Sequence, residues 1–130
     1  PNFIRPWQHI LYPLIGYLSL AKKQYENKLN NQTSWNFGPN KANFKTVIEI
    51  IQFIKKLHNF EYDIIKMNKF NETKTLKLNS SKFKKKLNWS SKWDLYQSLK
   101  QTIDWNNLYK KGHSARDICE KQILMYINKK

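Results

Sequence analysis

The sequence has one cysteine, three glycines and no long apolar run, and each shortage excludes a class of protein. Cys119 has no partner for an internal disulfide, which suits a reducing compartment. The first residues do not form a charged-then-apolar leader, so we expect a cytoplasmic protein. The longest apolar stretch, residues 10–21, is too short and too interrupted to cross a bilayer, and no membrane partner is expected.

Sites that need grouped residues are also missing. His9, His58 and His113 are far apart in the sequence, and no Cys or His stands at ligand spacing from Cys119, so there is no zinc pattern. The glycines are never grouped, which excludes a phosphate-binding loop. The nine acidic residues form no close pair of the kind that glycosidases use. We therefore predict no metal, cofactor or catalytic site in this chain.

Lysine and aromatic side chains are abundant. The 130 residues carry 24 Lys and Arg against 9 Asp and Glu, a formal charge of +15, and they are 40% hydrophobic and 15% aromatic. This length and apolar content predict one domain, residues 1–130, with its own core. All the basic residues except Arg5 and Arg116 are Lys. Such a bias is what an AT-rich genome produces without selection for a partner.

The high charge suggests nucleic acid, and the densest basic run is residues 82–86. This run either tracks phosphates or forms the solvated face of a short helix. We favour the solvated face, because Lys lacks the planar donors that favour Arg at base edges and phosphates. A basic nucleic-acid-binding module remains the alternative function, and a decayed structural or interaction domain is a third.

The residue pattern predicts an α+β fold that is mostly helical, with four to five helices and two or three short strands. Capping boxes at residues 46–49 and 94–97 mark two helix starts, and Gly112 ends a helix. Helices are predicted at residues 10–27, 46–58, 80–87, from 94 to Gly112, and 117–127. Extended segments are predicted at residues 34–37, 61–67 and 75–78.

Apolar residues at helical spacing predict which side of a helix faces the core. In the first helix the inward residues are predicted to be Leu14, Leu18, Ala21 and Tyr25. In the last helix they are predicted to be Ile118, Ile123 and Ile127. Three residues near element boundaries are assigned to packing: Trp89, Trp93 and Trp105.

A Tyr followed four residues later by Lys is the acid/base pair of the short-chain dehydrogenases. The spacing occurs here as Tyr62/Lys66, Tyr96/Lys100 and Tyr126/Lys130. In a chain so rich in Tyr and Lys, about one such match is expected by chance. Without a strand and glycine-rich turn to hold NAD, none of the three pairs can move a hydride, and we interpret them as coincidental.

Several segments, in order, resemble the closing portion of extended short-chain dehydrogenases that act on nucleotide sugars, above all the CDP-glucose 4,6-dehydratase family. They are residues 4–9 (Ile-Arg-Pro-Trp-Gln-His), residues 35–39 (Trp-Asn-Phe-Gly-Pro), residues 76–89 and residues 92–105. The family uses bound NAD to convert CDP-glucose to a 4-keto-6-deoxy sugar.

The resemblance implies that this chain is the smaller, C-terminal substrate-binding lobe without its Rossmann domain. In the family, the dinucleotide fold and the catalytic Tyr, Lys and Ser/Thr lie in the larger N-terminal part. NAD is therefore implied for the full-length family and not for this chain. We expect a lobe that binds a nucleotide diphosphate sugar at an incomplete site and does not catalyse by itself.

The resemblance also implies the site residues. Arg5 matches the arginine that grips the substrate pyrophosphate in relatives, and a guanidinium can fork two phosphate oxygens. Gln8 and His9 are expected to line the same pocket. The stretch 71–74 matches a second phosphate-proximal segment.

Within that second segment, Glu72 and Lys74 are the expected binding residues. Asn71 stands where the family usually has His, and Asn79 where it usually has Asp. An apolar face that would meet the dinucleotide domain is expected to pair with a second copy or with a separate NAD-domain chain.

Overall fold

The computed structural model describes residues 1–26, 34–65 and 73–129. This part contains five α-helices, two short strands and a 3-10 turn at Lys41–Asn43. In chain order the elements are β1 (Ile4–Pro6), α1 (Leu11–Tyr25), β2 (Phe44–Thr46), α2 (Val47–Leu57), α3 (Ser81–Leu87), α4 (Leu95–Lys110) and α5 (Ala115–Asn128). The predicted class, α+β and mostly helical, is confirmed. None of the helices described has the length and apolar character needed to span a membrane.

The strand β1 lies between two extended segments. It pairs antiparallel with β2, so that Ile4 faces Thr46. On its other side Ile4 forms a parallel bridge with Thr75, in which its N–H donates to Lys74 O at 2.9 Å. The N–H of Leu76 returns a bond of 3.0 Å to Ile4 O. Residues distant in sequence therefore meet along three residues of β1.

The predicted extended segments were partly wrong. Residues 34–37 and 61–65 form no strand, and residues 66 and 67 lie outside the described part. Thr75 is paired in a bridge, but residues 76–78 form no regular structure. The segment 34–37 is held by its side chains, because the rings of Trp35 and Phe37 pack against a buried cluster. The alternation of inward rings and outward polar residues is the same as in a strand, so the sequence pattern does not separate the two structures.

Local signals placed the starts of α2 and α4 and the end of α4 correctly. Glu49 N donates to Thr46 Oγ1 at 3.2 Å, while the Glu49 carboxylate accepts from Thr46 N at 2.7 Å, which is the predicted capping box. Asp94 Oδ1 accepts from Gln97 N at 2.7 Å at the start of α4. Gly112 follows the end of α4 with a φ of +88°, a backbone conformation that favours glycine.

Two buried clusters meet on adjacent residues of α1. Leu11 packs with Trp93 and Tyr126, whereas Tyr12 packs with Phe83 and Leu87. The inward stripe predicted for this helix was therefore wrong. All four of its residues are exposed: Leu14, Leu18, Ala21 and Tyr25.

The last helix shows the same kind of error. Its start, Ser114, was missed, although Ser114 Oγ accepts from Asp117 N at 3.4 Å. Ile118 is buried as predicted, but Ile123 and Ile127 are exposed. The buried residues follow Ile118 at intervals of four, at Gln122 and Tyr126. Ile123 and Ile127 are one position further along, about 100° around the helix, and so face outward.

Candidate functional site

Arg5 lies in β1, at the centre of the three extended segments. Its guanidinium carbon is 5.4 Å from the centroid of the Phe3 ring, so both side chains lie on one face of the sheet. Nη1 donates to Ile4 O at 2.9 Å and to Thr73 O at 3.1 Å. The bond to Thr73 joins two predicted site segments that are 68 residues apart.

Two lysines lie on the extended segments that flank Arg5. Lys45 is the direct cross-strand partner of Arg5 in the ladder between β1 and β2, and such partners point to the same side. Lys74 directly precedes Thr75, which bridges to Ile4, and its carbonyl accepts from the N–H of Ile4, so its backbone lies beside β1. We call the set of Arg5, Lys45 and Lys74 the cationic face. Lys45 was not predicted, because only the strand register reveals its position.

A carboxylate on α2 compensates part of this charge. Lys45 Nζ lies 3.3 Å from Glu49 Oε1. The amide and hydroxyl of Thr46 donate to Glu49 and, together with Lys45, lower the pKa of this carboxyl below its usual value. Glu49 is therefore ionised at neutral pH and forms an ion pair with Lys45.

Gln8 and His9 follow Arg5 closely but point to other parts of the molecule. Gln8 Nε2 donates to Phe37 O at 3.0 Å, which ties the start of the chain to the segment at residues 35–39. The ring of His9 is buried against Trp93, with centroids 4.8 Å apart. The structure thus brings Arg5 to Lys74 and directs Gln8 and His9 away from them. Glu72 lies outside the described residues.

The environment of His9 keeps it neutral. Its Nδ1 accepts from Leu11 N at 3.3 Å, and burial lowers its pKa to about 4. The ring forms part of the wall of an apolar cavity of about 360 Å³, together with residues of α1, α4 and α5. A neutral imidazole in an apolar wall suits packing better than phosphate binding.

The remaining sequence patterns acquire structural roles. In the Tyr96/Lys100 pair, Lys100 Nζ lies 2.6 Å from a carboxylate oxygen of Asp104. This ion pair raises the pKa of Lys100. Lys66 and Lys130, of the other two Tyr/Lys pairs, lie outside the described residues. In residues 1–26, 34–65 and 73–129, no group of three or more His, Cys, Asp or Glu could hold a metal.

The basic run at residues 82–86 is not simply a solvated face. Lys82 Nζ lies 4.6 Å from the ring centroid of Trp35 and donates to Ser34 O at 2.9 Å. Lys84 Nζ donates to Pro39 O at 3.0 Å and to Asn40 Oδ1 at 2.9 Å. Two lysines of the run therefore hold the segment at residues 34–40 against α3.

A dinucleotide does not fit the described residues. The strands there are three residues long, and neither leads through a glycine-rich turn into a helix.

Comparison with known proteins reveals similarity to a nucleotide-sugar dehydratase. Over 130 residues the chain is 31% identical to a CDP-glucose 4,6-dehydratase from Salmonella typhimurium, and the match covers 98% of this chain. The resemblance seen in the sequence is confirmed. The same match covers 36% of the Salmonella dehydratase, so this chain spans about a third of that CDP-glucose 4,6-dehydratase, consistent with a C-terminal part of it. No protein-family model matches the chain.

Proposed function

We propose that this chain is the nucleotide-sugar-binding lobe of a CDP-glucose 4,6-dehydratase-like protein and is not catalytic by itself. One observation carries the proposal beyond the sequence similarity. Arg5 and the segment at residues 73–74, which the resemblance links to the phosphates of the substrate, lie side by side and are joined by the bond to Thr73 O.

The cationic face has the chemistry that a pyrophosphate requires. A guanidinium binds two phosphate oxygens in a fixed plane, and ammonium groups add charge without that geometry. The carbonyls of Ile4 and Thr73 orient Arg5, which lowers the ordering cost of binding. Arg5 is proposed as the main contact of the diphosphate, with Lys74 and Lys45 as supporting charges.

The rest of the reaction is proposed to depend on residues outside this lobe. NAD and the Tyr/Lys pair belong to the larger part of the family's proteins, and the natural setting is proposed to be the cytoplasm. Leu14 and Leu18 of α1 are 45% and 70% exposed, which supports a partner on this face. That partner is proposed to be an NAD-binding domain or, failing that, a second copy of the chain.

Binding to CDP-glucose tests the proposal. Isothermal titration of the chain with CDP-glucose should give a weak, saturable signal in the millimolar range. Because charged hydrogen bonds contribute about 1.5–3 kcal/mol each, Arg5→Lys should weaken binding about tenfold or more. Arg116→Lys is the matched control, since Arg116 is exposed on α5 and paired with Glu120. No heat at millimolar CDP-glucose, or equal affinities for wild type and Arg5→Lys, would contradict the proposal.

Sedimentation velocity tests the partner. The chain should form a dimer at high concentration, and Leu14→Lys with Leu18→Lys should abolish it, because both side chains lie on the exposed face of α1. A wild-type monomer at all concentrations would exclude the second copy and leave the NAD-binding domain as the proposed partner. A dimer that survives both substitutions would remove α1 from the interface.

A further inference from the structure

The sheet has a second, opposite face, which forms one wall of an open cleft. Ile4 lies on this side, since it alternates with Arg5 along β1. The cleft has a volume of about 650 Å³ and is lined by both apolar and polar residues. Its principal residues come from four parts of the chain: Ile4, Lys41, Phe44, Lys77, Leu78 and Lys84. We call this feature the lysine cleft.

The lysine cleft has a one-sided charge. Lys41, Lys77 and Lys84 are in its wall, and the described lining residues include no Asp or Glu. A volume of this size is within the range of sites that bind small molecules of nucleotide size. The cleft therefore has both the room and the charge to take an anionic small molecule.

Lys84 differs from the other two lysines of the cleft, which are exposed. Its side chain is partly buried, and burial lowers its pKa. The oxygens that accept from its Nζ, Pro39 O and Asn40 Oδ1, are both neutral. A partly desolvated cation that is hydrogen-bonded to neutral oxygens is stabilised further by a nearby anion.

The apolar part of the wall narrows the class of anion. Phe44 and Ile4 are partly buried, so each presents some apolar surface, and Leu78 adds a further exposed side chain. Inorganic phosphate leaves that surface unused, whereas a nucleobase covers it by packing and stacking. The lining thus combines a phosphate-binding side with a base-binding side.

We infer that the lysine cleft is a second ligand site, which binds a nucleoside diphosphate with its phosphates at Lys41, Lys77 and Lys84 and its base against Phe44. This site is separate from the proposed substrate site, because the cationic face with Arg5 lies on the other side of the sheet. The inference goes beyond the proposed function and does not depend on it.

The test is a titration of the full chain with ADP and with inorganic pyrophosphate at constant ionic strength, followed by the amide signals in ¹H–¹⁵N spectra. ADP should bind more tightly than pyrophosphate and should shift amides near Lys77, Ser81 and Lys84. Lys41→Gln combined with Lys77→Gln should weaken ADP binding about tenfold. Both lysines are exposed, so this variant is expected to fold even if Lys84→Gln does not.

Matched controls separate a site from general charge. Lys85→Gln combined with Lys86→Gln removes the same charge from exposed positions of α3 outside the cleft and should leave ADP affinity within about twofold. Absence of ADP binding, equal weakening by the Lys85 and Lys86 control, or shifts confined to the cationic face would each overturn the inference. Equal affinity for pyrophosphate and ADP would show that the base does not contact Phe44.

Discussion

The backbone of α1 at Gly16 lies directly against the ring of Phe83. A Cβ at Gly16 would be 2.8 Å from Phe83 Cζ and 2.9 Å from Phe37 Cδ1, closer than van der Waals contact allows. Between Tyr12 and Leu20, whose side chains also contact this aromatic cluster, the helix therefore packs its backbone against the rings. This close approach explains why Leu14 and Leu18 point outward.

Gly16→Ala should destabilise the chain even though Ala favours helix. The helix propensity of Ala contributes about 1 kcal/mol, whereas overpacking of a core costs about 1–3 kcal/mol. Both rings belong to one buried cluster, so we expect a net loss, measured as a lower free energy of unfolding in urea. Ser19→Ala, three residues further along α1, is the control and should be neutral or slightly stabilising. A Gly16→Ala variant as stable as wild type would mean that the rings move aside at no cost.

Two leucines of α1 should respond very differently to truncation. Leu11 is buried with Trp93 and Tyr126, so Leu11→Ala should cost about 2–5 kcal/mol. Leu18 is 70% exposed, so Leu18→Ala should change the free energy of unfolding by less than about 0.5 kcal/mol. Thermal or urea unfolding compares the two variants directly. Similar losses of stability for both variants would indicate that Leu18 is buried, as the sequence pattern predicted.

What could be predicted from the sequence was local. The capping box at Thr46 and the terminal Gly112 act within a few residues, so they were visible without the fold. The pairing of Ile4 with Thr46 and Thr75 spans 42 and 71 residues and leaves no periodic signal in a three-residue strand. For the same reason helix existence was predicted better than strand existence.

The candidate site was likewise predicted only in part from the sequence. Arg5 and Lys74 were predicted from resemblance to a family, and the structure places their segments together. Lys45 was missed because its position depends on strand register. His9 follows Arg5 closely in sequence, yet its ring is in the core, because the chain turns after β1 and Trp93 from a distant segment covers it. Whether Arg5 and Lys74 bind substrate remains a prediction.

The capping box at α2 should contribute measurably to stability. Thr46→Ala removes the hydroxyl that accepts from Glu49 N and should cost about 1 kcal/mol. Thr102→Ala is the matched control: Thr102 also uses its hydroxyl, but it donates to Ser98 O within α4, which adds little to helix stability. Urea denaturation of both variants should give a larger loss for Thr46→Ala. Equal losses would indicate that the capping bond of Thr46 contributes no more to the free energy of unfolding than the hydroxyl of Thr102.

His9 should make the chain less stable as the pH falls below 7. The pKa of His9 is about 4 in the folded chain because of burial, against 6.5 for an ordinary histidine. Between these values the unfolded chain binds a proton that the folded chain excludes, so stability that is fully present above pH 6.5 is lost as the pH falls towards 4.

The corresponding experiment measures the free energy of unfolding at pH 7 and pH 5. His9→Gln, which cannot titrate, should lose less stability over this interval than wild type, by about 1–2 kcal/mol. His113→Gln, at an exposed position, is the control and should follow the wild-type profile. Because carboxylates titrate alike in all three proteins, the difference between profiles isolates His9. Parallel profiles for wild type and His9→Gln would show that the ring is protonated as easily in the fold as in the unfolded chain, and the packing of His9 against Trp93 would then have to be wrong.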